Sequence, residues 1–325
     1  MNTRQHILAL FEDSRGDFIS GAAIAQQLGI SRSAVWKAVK ELEKEGHHIS
    51  AVRNKGYRLE RDDDVLSVAG MLPYLDAGID PSLIQVNDQL ESTNKTAKEL
   101  ILEGAGQGTM VIANEQTAGR GRYGRSFQSP AGTGIYVSFV IDPKVLSFST
   151  PTLVTAYAAV CVCEAIEAVC DLQPQIKWVN DIYVDSAKIC GIATEAQMSF
   201  ESAQASGIVV GIGINFREPT AGFVPEDRNV IGSLFGQESP PVSRNQLIAE
   251  IANRILAEKA PAESDLLTRY RQRLFILGQR VRVTRVKEPY EAVALDVNPL
   301  GQLVVRTDSG EVLELSSGEV SIKPL

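Results

Sequence analysis

Histidine is nearly absent from this 325-residue chain: the three present are His6, His47 and His48, all near the start. The rest of the chain has no imidazole base to pair with a Ser or Cys nucleophile, so its chemistry must rest on charge and positioning. Cysteine is scarce too, and Cys161, Cys163, Cys170 and Cys190 are too few for a disulfide framework. Three of them share one apolar segment and read as reduced packing residues. Cys161-x-Cys163 has no nearby His or second Cys pair to complete a metal site. No apolar run approaches the roughly 20 residues of a membrane span. Met1-Asn2-Thr3-Arg4 opens no signal peptide, so a cytoplasmic protein without a membrane partner is expected. A Gly-x4-Gly-Lys-Ser/Thr loop is also missing, which excludes P-loop use of ATP. Gly211-x-Gly213 lies within a strand-like run and no third Gly opens a helix, which excludes a dinucleotide fingerprint. Internal repeats and low-complexity tracts are absent.

What is present is ordinary in bulk and uneven in charge. Hydrophobic residues at 44% and charged residues at 22% fit a globular protein of two or three domains. The net charge of -8 hides a basic stretch: residues 31–61 carry eight Lys/Arg against four Glu, whereas from Asp62 onward there are 22 basic and 33 acidic residues. An acidic body with one basic patch points to a local anionic partner.

That patch has an organisation. Ile7, Leu8, Leu10 and Phe11 are spaced for a helix over 4–12. Ser20 caps a short helix, Gly21 to Leu28, closed by Gly29, and Ser31 caps a third that runs to about Glu45 before Gly46. Val35, Ala38, Val39 and Leu42 form its buried stripe, with Ser33, Trp36, Lys37 and Lys40 opposite. Two short strands, His47–Val52 and Tyr57–Leu59, bracket a basic turn of Arg53-Asn54-Lys55-Gly56. The pattern is a helix-turn-helix with a basic wing. Lys37, Lys40, Arg53 and Lys55 are expected on phosphates and Ser33 and Trp36 on base edges, with packing of Trp36 against the wing as the alternative. The charged run Arg61-Asp62-Asp63-Asp64 marks a domain boundary.

Beyond it, Leu83–Val86 reads as a strand, and Ser92-Thr93-Asn94 opens a helix with Ser92 or Thr93 as its cap. An apolar strand from Thr109 to Ala113 then leads into Gly119-Arg120-Gly121-Arg122-Tyr123-Gly124-Arg125. Three arginines among glycines make a cationic loop suited to carboxylate or phosphate, and equally suited to a solvated surface. A strand, Gly134–Ile141, precedes a helix from Pro151 to about Val169 that is apolar nearly all round and so expected at the centre of the core. In the β-forming run Ile176–Val184, Lys177, Trp178, Asn180 and Asp181 are costly to bury without partners. Asp185-Ser186-Ala187 turns the chain, and Lys188 starts the return strand. Ile208–Phe216 is a strand whose two glycines mark close approach by a ligand or another backbone; it is also a possible sheet edge for pairing two copies. Pro219–Pro241 is loop-rich, helices follow at about Arg244–Glu258 and Ala262–Phe275, and from Gln279 short period-two strands predict a small β-barrel.

Taken together, Ser92-Thr93-Asn94, Gln116, Gly119–Arg125, Lys177-Trp178-x-Asn180-Asp181, Lys188-x-x-Gly191-Ile192 and Gly211-x-Gly213-Ile214-Asn215 resemble the biotin–protein ligases, over essentially the whole chain. The helix-turn-helix resembles that of the bifunctional members, which also repress biotin synthesis genes, and Gly318-Glu319-Val320-Ser321 resembles the end of their barrel. One departure is Val179, where the family usually has Pro. No counterpart is evident for the tryptophan that stacks on adenine in some relatives; Phe223 is the aromatic on offer.

The resemblance implies an α+β protein: a winged helix-turn-helix over 1–64, a mixed-sheet biotin/ATP-binding ligase domain over 65–275, and an SH3-like barrel over 276–325. It implies ATP-dependent biotinylation of a lysine on a biotin carboxyl carrier protein through biotinyl-5′-AMP, with the adenylate as corepressor at operator DNA and promoter of a homodimer. Ser92, Thr93, Asn94, Gln116, Gly119, Arg120, Gly121, Arg122, Asn180, Lys188, Gly191, Gly213 and Asn215 are then expected at biotin or its adenylate, and Arg125 and Lys177 at phosphate. Lys188, Arg122 and Asp181 are the expected catalytic groups. Mg²⁺ is expected with ATP, with Asp181 as a possible ligand and no other side chain assigned. A metabolite-sensing regulator without ligase activity and a lipoate–protein ligase are the alternatives.

Overall fold

The computed structural model describes residues 2–146, 148–198, 205–224, 230–238, 240–284, 288–316 and 319–322. Helices α1 (Thr3–Asp13), α2 (Gly21–Leu28) and α3 (Arg32–Lys44) form where the caps predict them: Ser20 accepts from the Ala23 N–H and Ser31 from the Ala34 N–H. Ile7, Phe11, Ile24, Val35, Val39 and Leu42 bury one face of each helix in a small separate core. Strands β1 (Ile49–Val52) and β2 (Gly56–Leu59) pair antiparallel as the wing. Gly56 is obligatory there: its φ is +108° and a Cβ would stand 2.0 Å from the Ile19 carbonyl oxygen.

The acidic run after the wing is a fastened joint, not a solvated linker. Asp63 is buried, accepts from the His48 N–H at 2.7 Å and faces His47 Nδ1 at 3.0 Å; Arg15, which also holds Glu12, donates to the Asp63 carbonyl at 2.6 Å. Burial raises the Glu12 carboxyl above its ordinary pKa against the opposing pull of Arg15. Next, Asp64 receives Arg244 Nε at 2.7 Å and the Arg244 N–H at 2.8 Å. The short helix α4 (Val68–Met71) follows, and Asn245 ties its entry by accepting from the Ser67 N–H and donating to the Val65 carbonyl.

A seven-stranded sheet dominates the rest. In chain order come β3 (Ile84–Leu90), α5 (Thr93–Leu102), β4 (Met110–Gln116), β5 (Gly134–Ile141), α6 (Pro151–Cys170), β6 (Gln175–Lys177), β7 (Asp181–Val184), β8 (Ala187–Met198), β9 (Ala205–Asn215), α7 (Arg244–Ile255) and α8 (Glu263–Arg273). The spatial order is β3-β4-β5-β9-β8-β7-β6, with only β3–β4 parallel. Alternation sorts the two faces. Met110, Ile112, Ile135, Val137, Phe139, Val210 and Ile212 face α6, α7 and α8, while Val111, Val140 and Val209 pack under α5. All four cysteines are free and buried in the first of these cores, and burial pushes the Cys161 and Cys170 thiols up to about 12, leaving them protonated and inert.

Three expectations are corrected. The strand Ile208–Phe216 is no sheet edge, because β9 is hydrogen-bonded to β5 on one side and β8 on the other. The run Ile176–Val184 is two strands, β6 and β7, joined by a tight turn with a cis Trp178–Val179 peptide. And the chain does hold one helix, Pro151–Cys170, long and apolar enough to cross a membrane by length and composition, at a mean hydropathy of 1.8. It lies in the core, flanked by α7, α8 and the sheet.

The C-terminal sheet has the order β13-β12-β11-β10-β14, formed from β10 (Arg280–Thr284), β11 (Tyr290–Val297), β12 (Leu303–Thr307), β13 (Val312–Leu315) and β14 (Glu319–Ile322). It docks through its Leu300–Gly301 turn, which accepts from Thr150 Oγ1 at 2.9 Å and Trp178 Nε1 at 3.1 Å. Gly318 of the matched terminal sequence lies outside the described residues.

Arg244 also donates to Asn114 Oδ1 at 2.9 Å and the Gly134 carbonyl at 3.1 Å, so one buried guanidinium joins the post-wing segment to the sheet. Replacing it with Met removes the guanidinium's hydrogen bonds to Asp64, Asn114 and Gly134 and takes the nearest cation from the Asp64 carboxylate. Arg244→Met is expected to cost about 3 kcal/mol, measured by denaturant unfolding; a loss within experimental error would show that the joint carries no stability.

Candidate active site

Sheet register aligns one row of residues across five strands: Tyr136 on β5, Gly213 on β9, Gly191 on β8, Asp181 on β7 and Lys177 on β6. Cross-strand partners share a face, so the two glycines make the bare floor of a trough. Tyr136 walls one side and the Asp181–Lys177 pair the other. Lys188 should not belong here, because it lies three positions before Gly191 and strict alternation would turn it to the other face. A β-bulge shifts the β7–β8 register so that Tyr183 opposes Lys188 while Ile182 opposes Cys190. The extra residue turns Lys188 into the trough, where its Nζ stands 3.1 Å from Asp181 Oδ1 with both side chains mostly buried.

The arginine loop is a small hairpin. Phe127 N–H donates to the Gly119 carbonyl, Gly121 N–H to the Arg125 carbonyl, and Arg122–Gly124 form a 3-10 turn at the tip. Arg122 Nη1 donates to Asn180 Oδ1 at 3.0 Å, while Asn180 donates through Nδ2 to the Ile192 carbonyl at 2.9 Å. Asn180 is thus both a hairpin corner and a loop contact. Arg120 and Arg125 are exposed. Lys177 leans to the far rim, with Nζ 3.4 Å from the Tyr183 hydroxyl.

At the head of α5, Ser92 occupies the cap position but makes no capping hydrogen bond, so the cap reading fails for its side chain. Gln116 Oε1 accepts from the Thr93 N–H at 2.9 Å instead, and Gln116 Nε2 reaches Ser129 Oγ at 2.9 Å. Asn94 lies over Gly211, where a Cβ would stand 1.9 Å from its Oδ1. Asn215 donates to the Gly232 carbonyl at 2.9 Å.

Three residues escaped the sequence reading. Phe127 lies on the glycine floor: a Cβ on Gly213 would meet its ring at 2.5 Å, one on Gly191 at 3.6 Å. With Phe127 there, the hollow between it, Gln128, Lys188, Cys190, Asn215, Phe223 and Ile231 measures only about 10 Å³. An aromatic just past an arginine–glycine loop was the available sign. Ser138 and Glu195 bind Asn94 from either side, at 2.7 Å each; nothing local in the sequence marks them. Burial pushes the Glu195 carboxyl up, but hydrogen bonds from Lys98 and Asn94 outweigh it and hold it below the ordinary carboxylate value. Among the described residues no group of three or more His, Cys, Asp or Glu forms a metal cage.

In the N-terminal domain, Ser33, Trp36, Lys37, Lys40, Arg53 and Lys55 are exposed on one helix face and the wing turn. Trp36 is 53% exposed on that face. Ser33 Oγ pairs with the Ser31 cap at 2.8 Å, and Lys55 lies 5.7 Å from the Phe18 ring centre.

Comparison with known proteins gives three sequence-family matches: HTH domain over residues 3–58, Biotin/lipoate A/B protein ligase family over 86–215, and Biotin protein ligase C terminal domain over 276–323. The chain is similar to the Bifunctional ligase/repressor BirA of Bacillus spizizenii, 33% identical across 98% of both chains, and to that of Bacillus subtilis, 32% identical with the same coverage. Among solved structures it resembles the biotin protein ligase from Aquifex aeolicus in complex with biotin and ATP, at a TM-score of 0.61 and 25% identity. That match covers 74% of this chain and 98% of the other.

The two floor glycines differ in what they tolerate. Gly213→Ala forces the Phe127 ring to move and is expected to cost about 1–3 kcal/mol, while Gly191→Ala is expected to stay within about 0.5 kcal/mol. Thermal unfolding of the pair distinguishes them, and equal losses would mean that Phe127 does not rest on Gly213.

Proposed function

The chain belongs to the biotin/lipoate A/B protein ligase family in its bifunctional ligase/repressor form, and from that premise we infer how its trough, loop and winged helix work. It is a biotin–[acetyl-CoA-carboxylase] ligase that joins biotin to ATP and transfers the biotinyl group to protein, and it represses transcription. The observation that carries the site assignment is the convergence of Lys188–Asp181 and Arg122–Asn180 over a floor of glycine.

In the first step a biotin carboxylate oxygen attacks the α-phosphorus. The new O–P bond forms as the bond to the bridging oxygen breaks, giving biotinyl-5′-adenylate and pyrophosphate. Negative charge spreads over the phosphate oxygens, so the catalytic need is for fixed cations. Lys188 is held by Asp181 where it can neutralise the reacting carboxylate and α-phosphate, and Arg122 is held by Asn180 beside it. Arg125, exposed on the loop, and Lys177, on the outermost strand, are the cations proposed for the β- and γ-phosphates. Mg²⁺ would arrive with ATP as its substrate complex, with Asp181 the side chain available to it among the described residues. Ser92, Thr93, Asn94 and Gln116 frame the ureido end, with Gly119, Arg120, Gly121, Gly191, Gly213 and Asn215 along the rest of the ligand, and Phe223 stands by for the adenine.

Phe127 and the substrate compete for the same floor, so the loop must lift and re-seat over the adenylate. That cover protects a mixed anhydride from water until a lysine of the carboxyl carrier protein attacks its carbonyl and releases AMP. We place the protein in the cytoplasm, with the domain limits at 64/65 and 275/276.

For repression, the basic face of α3 and the wing contact operator DNA, and an adenylate-stabilised homodimer engages two half-sites. A surface for pairing exists beside the strand first considered. β7 accompanies β8 only to Gly191 whereas β9 continues to Met198, so the outer edge of β8 from Thr194 to Met198 has no partner strand among the described residues.

Pyrophosphate release with biotin and ATP is expected from the wild type, with no release when lipoate replaces biotin. Lys188→Ala should abolish it, by at least about a hundredfold, without loss of fold; normal release by that variant would remove Lys188 from the mechanism. Sedimentation should show dimer only with biotin and ATP together. A monomer under both conditions refutes the coupling of adenylate to assembly.

A further inference from the structure

The turn between β6 and β7 looks two ways. Trp178 and Val179 are buried, whereas Asn180 and Asp181 reach Arg122 and Lys188. Three contacts set how Asn180 meets Arg122. Its Nδ2 donates to the Ile192 carbonyl at 2.9 Å, so Oδ1 is the atom turned to the arginine. The peptide after Asn180 is held by the same neighbour, whose N–H donates to the Asn180 carbonyl at 3.0 Å. The peptide before it is held from elsewhere: the Val179 carbonyl accepts from the Tyr270 hydroxyl at 2.9 Å. A peptide unit is planar, so turning that carbonyl turns the Asn180 N–H with it and swings the side chain. Tyr270 belongs to α8 and is fully buried in the main core. Burial raises its phenol well above the ordinary pKa, with Cys163, Arg122 and Asp181 as lesser influences, so the hydroxyl stays protonated and donates. A buried phenol needs an acceptor. The one it takes here is the carbonyl on which the seat of Arg122 depends.

We propose that Tyr270 is a positioning residue for adenylate formation: through the Val179 carbonyl it holds the Val179–Asn180 peptide in the orientation that lets Asn180 seat Arg122 beside the reacting oxygens. The inference deepens the ligase assignment and rests on it. Tyr270 acts from within the core and touches no substrate. Without its hydroxyl the buried carbonyl turns toward another donor, the peptide rotates, and Arg122 loses a fixed partner. Cations at the reacting oxygens stabilise the charge of the transition state more than that of the bound substrates, so the loss falls on kcat.

The test is pyrophosphate release by the full chain with biotin and ATP, giving kcat and KM for wild type, Tyr270→Phe, Asn180→Ala and the double variant. Tyr270→Phe keeps the ring and its packing, and is expected to lower kcat about three- to tenfold with KM for biotin within about twofold of wild type. Asn180→Ala should lower kcat by at least as much. In the double variant the hydroxyl has nothing left to position, so kcat should match that of Asn180→Ala within about twofold. A hydroxyl with a purely structural role gives another pattern, in which the two losses multiply, or KM for biotin rises in step with a falling unfolding temperature. Either pattern overturns the proposal, as does wild-type kcat in Tyr270→Phe. Asn180 is only half-buried, so its variant remains decisive where Tyr270→Phe does not fold: wild-type kcat in Asn180→Ala removes the seat on which the proposal depends. If the wild type releases no pyrophosphate from biotin and ATP, the ligase assignment itself fails and takes this inference with it.

Discussion

The buried guanidinium of Arg244 joins the segment that leaves the wing to the central sheet. It receives the chain as it leaves the wing by binding the Asp64 carboxylate and carbonyl, and it reaches the sheet through Asn114 on β4 and Gly134 at the start of β5. Those two strands are the roots of the connection that carries the arginine loop, and Asn114 also accepts the N–H of Gly132 near its end. A buried arginine is tolerable only with its donors met, and here the acceptors come from three segments distant in sequence. The winged helix is thereby set against the same two strands that carry the lid of the site. A change in how β4 and β5 end has a short polar route to Asp64, and from the adjacent Asp63 to His47, His48 and Arg15.

Much of this was legible in the residues. Helix starts were marked by Ser20, Ser31 and Pro151, the buried helix by its composition, the barrel by its period of two, and the site by charged residues in apolar surroundings. What escaped depends on register. Lys188-x-x-Gly191 has a spacing that an ideal strand cannot place on one face, and only the bulge resolves it; the odd spacing was the one available sign. Taking β9 as an edge failed for a similar reason: an apolar strand with glycines does not announce how many neighbours it has. The acidic run 61–64 looked like linker because composition counts charges without their partners, and Arg244 lies too far along the chain to be paired with it by eye. Ser138 and Glu195 are unremarkable until Asn94 is seen between them.

The two glycine-bearing strands meet two demands at once. On the helix-facing side β9 contributes Val210, Ile212 and Ile214 to the main core, which fixes its position. On the other side Gly211 and Gly213 give up packing so that Asn94 and Phe127 can approach the backbone. The rigidity of one face thus supports the openness of the other, and the preorganised charges of the trough stand on strands that cannot drift.

The loop that covers the trough is held loosely enough for a ligand to move it. Its contacts with the body include Arg122 on Asn180, Gln116 on Ser129, and a reciprocal pair between Gln128 and the Val224 backbone. At about 1 kcal/mol net for each, these contacts amount to a few kcal/mol. A ligand that occupies the floor must offset that cost to displace Phe127, and its observed affinity is already net of it. In the cover proposed for the adenylate, new contacts of the loop would recover that cost. Arginines spaced by glycines suit such a loop, since the backbone can re-form while the guanidinium groups exchange partners.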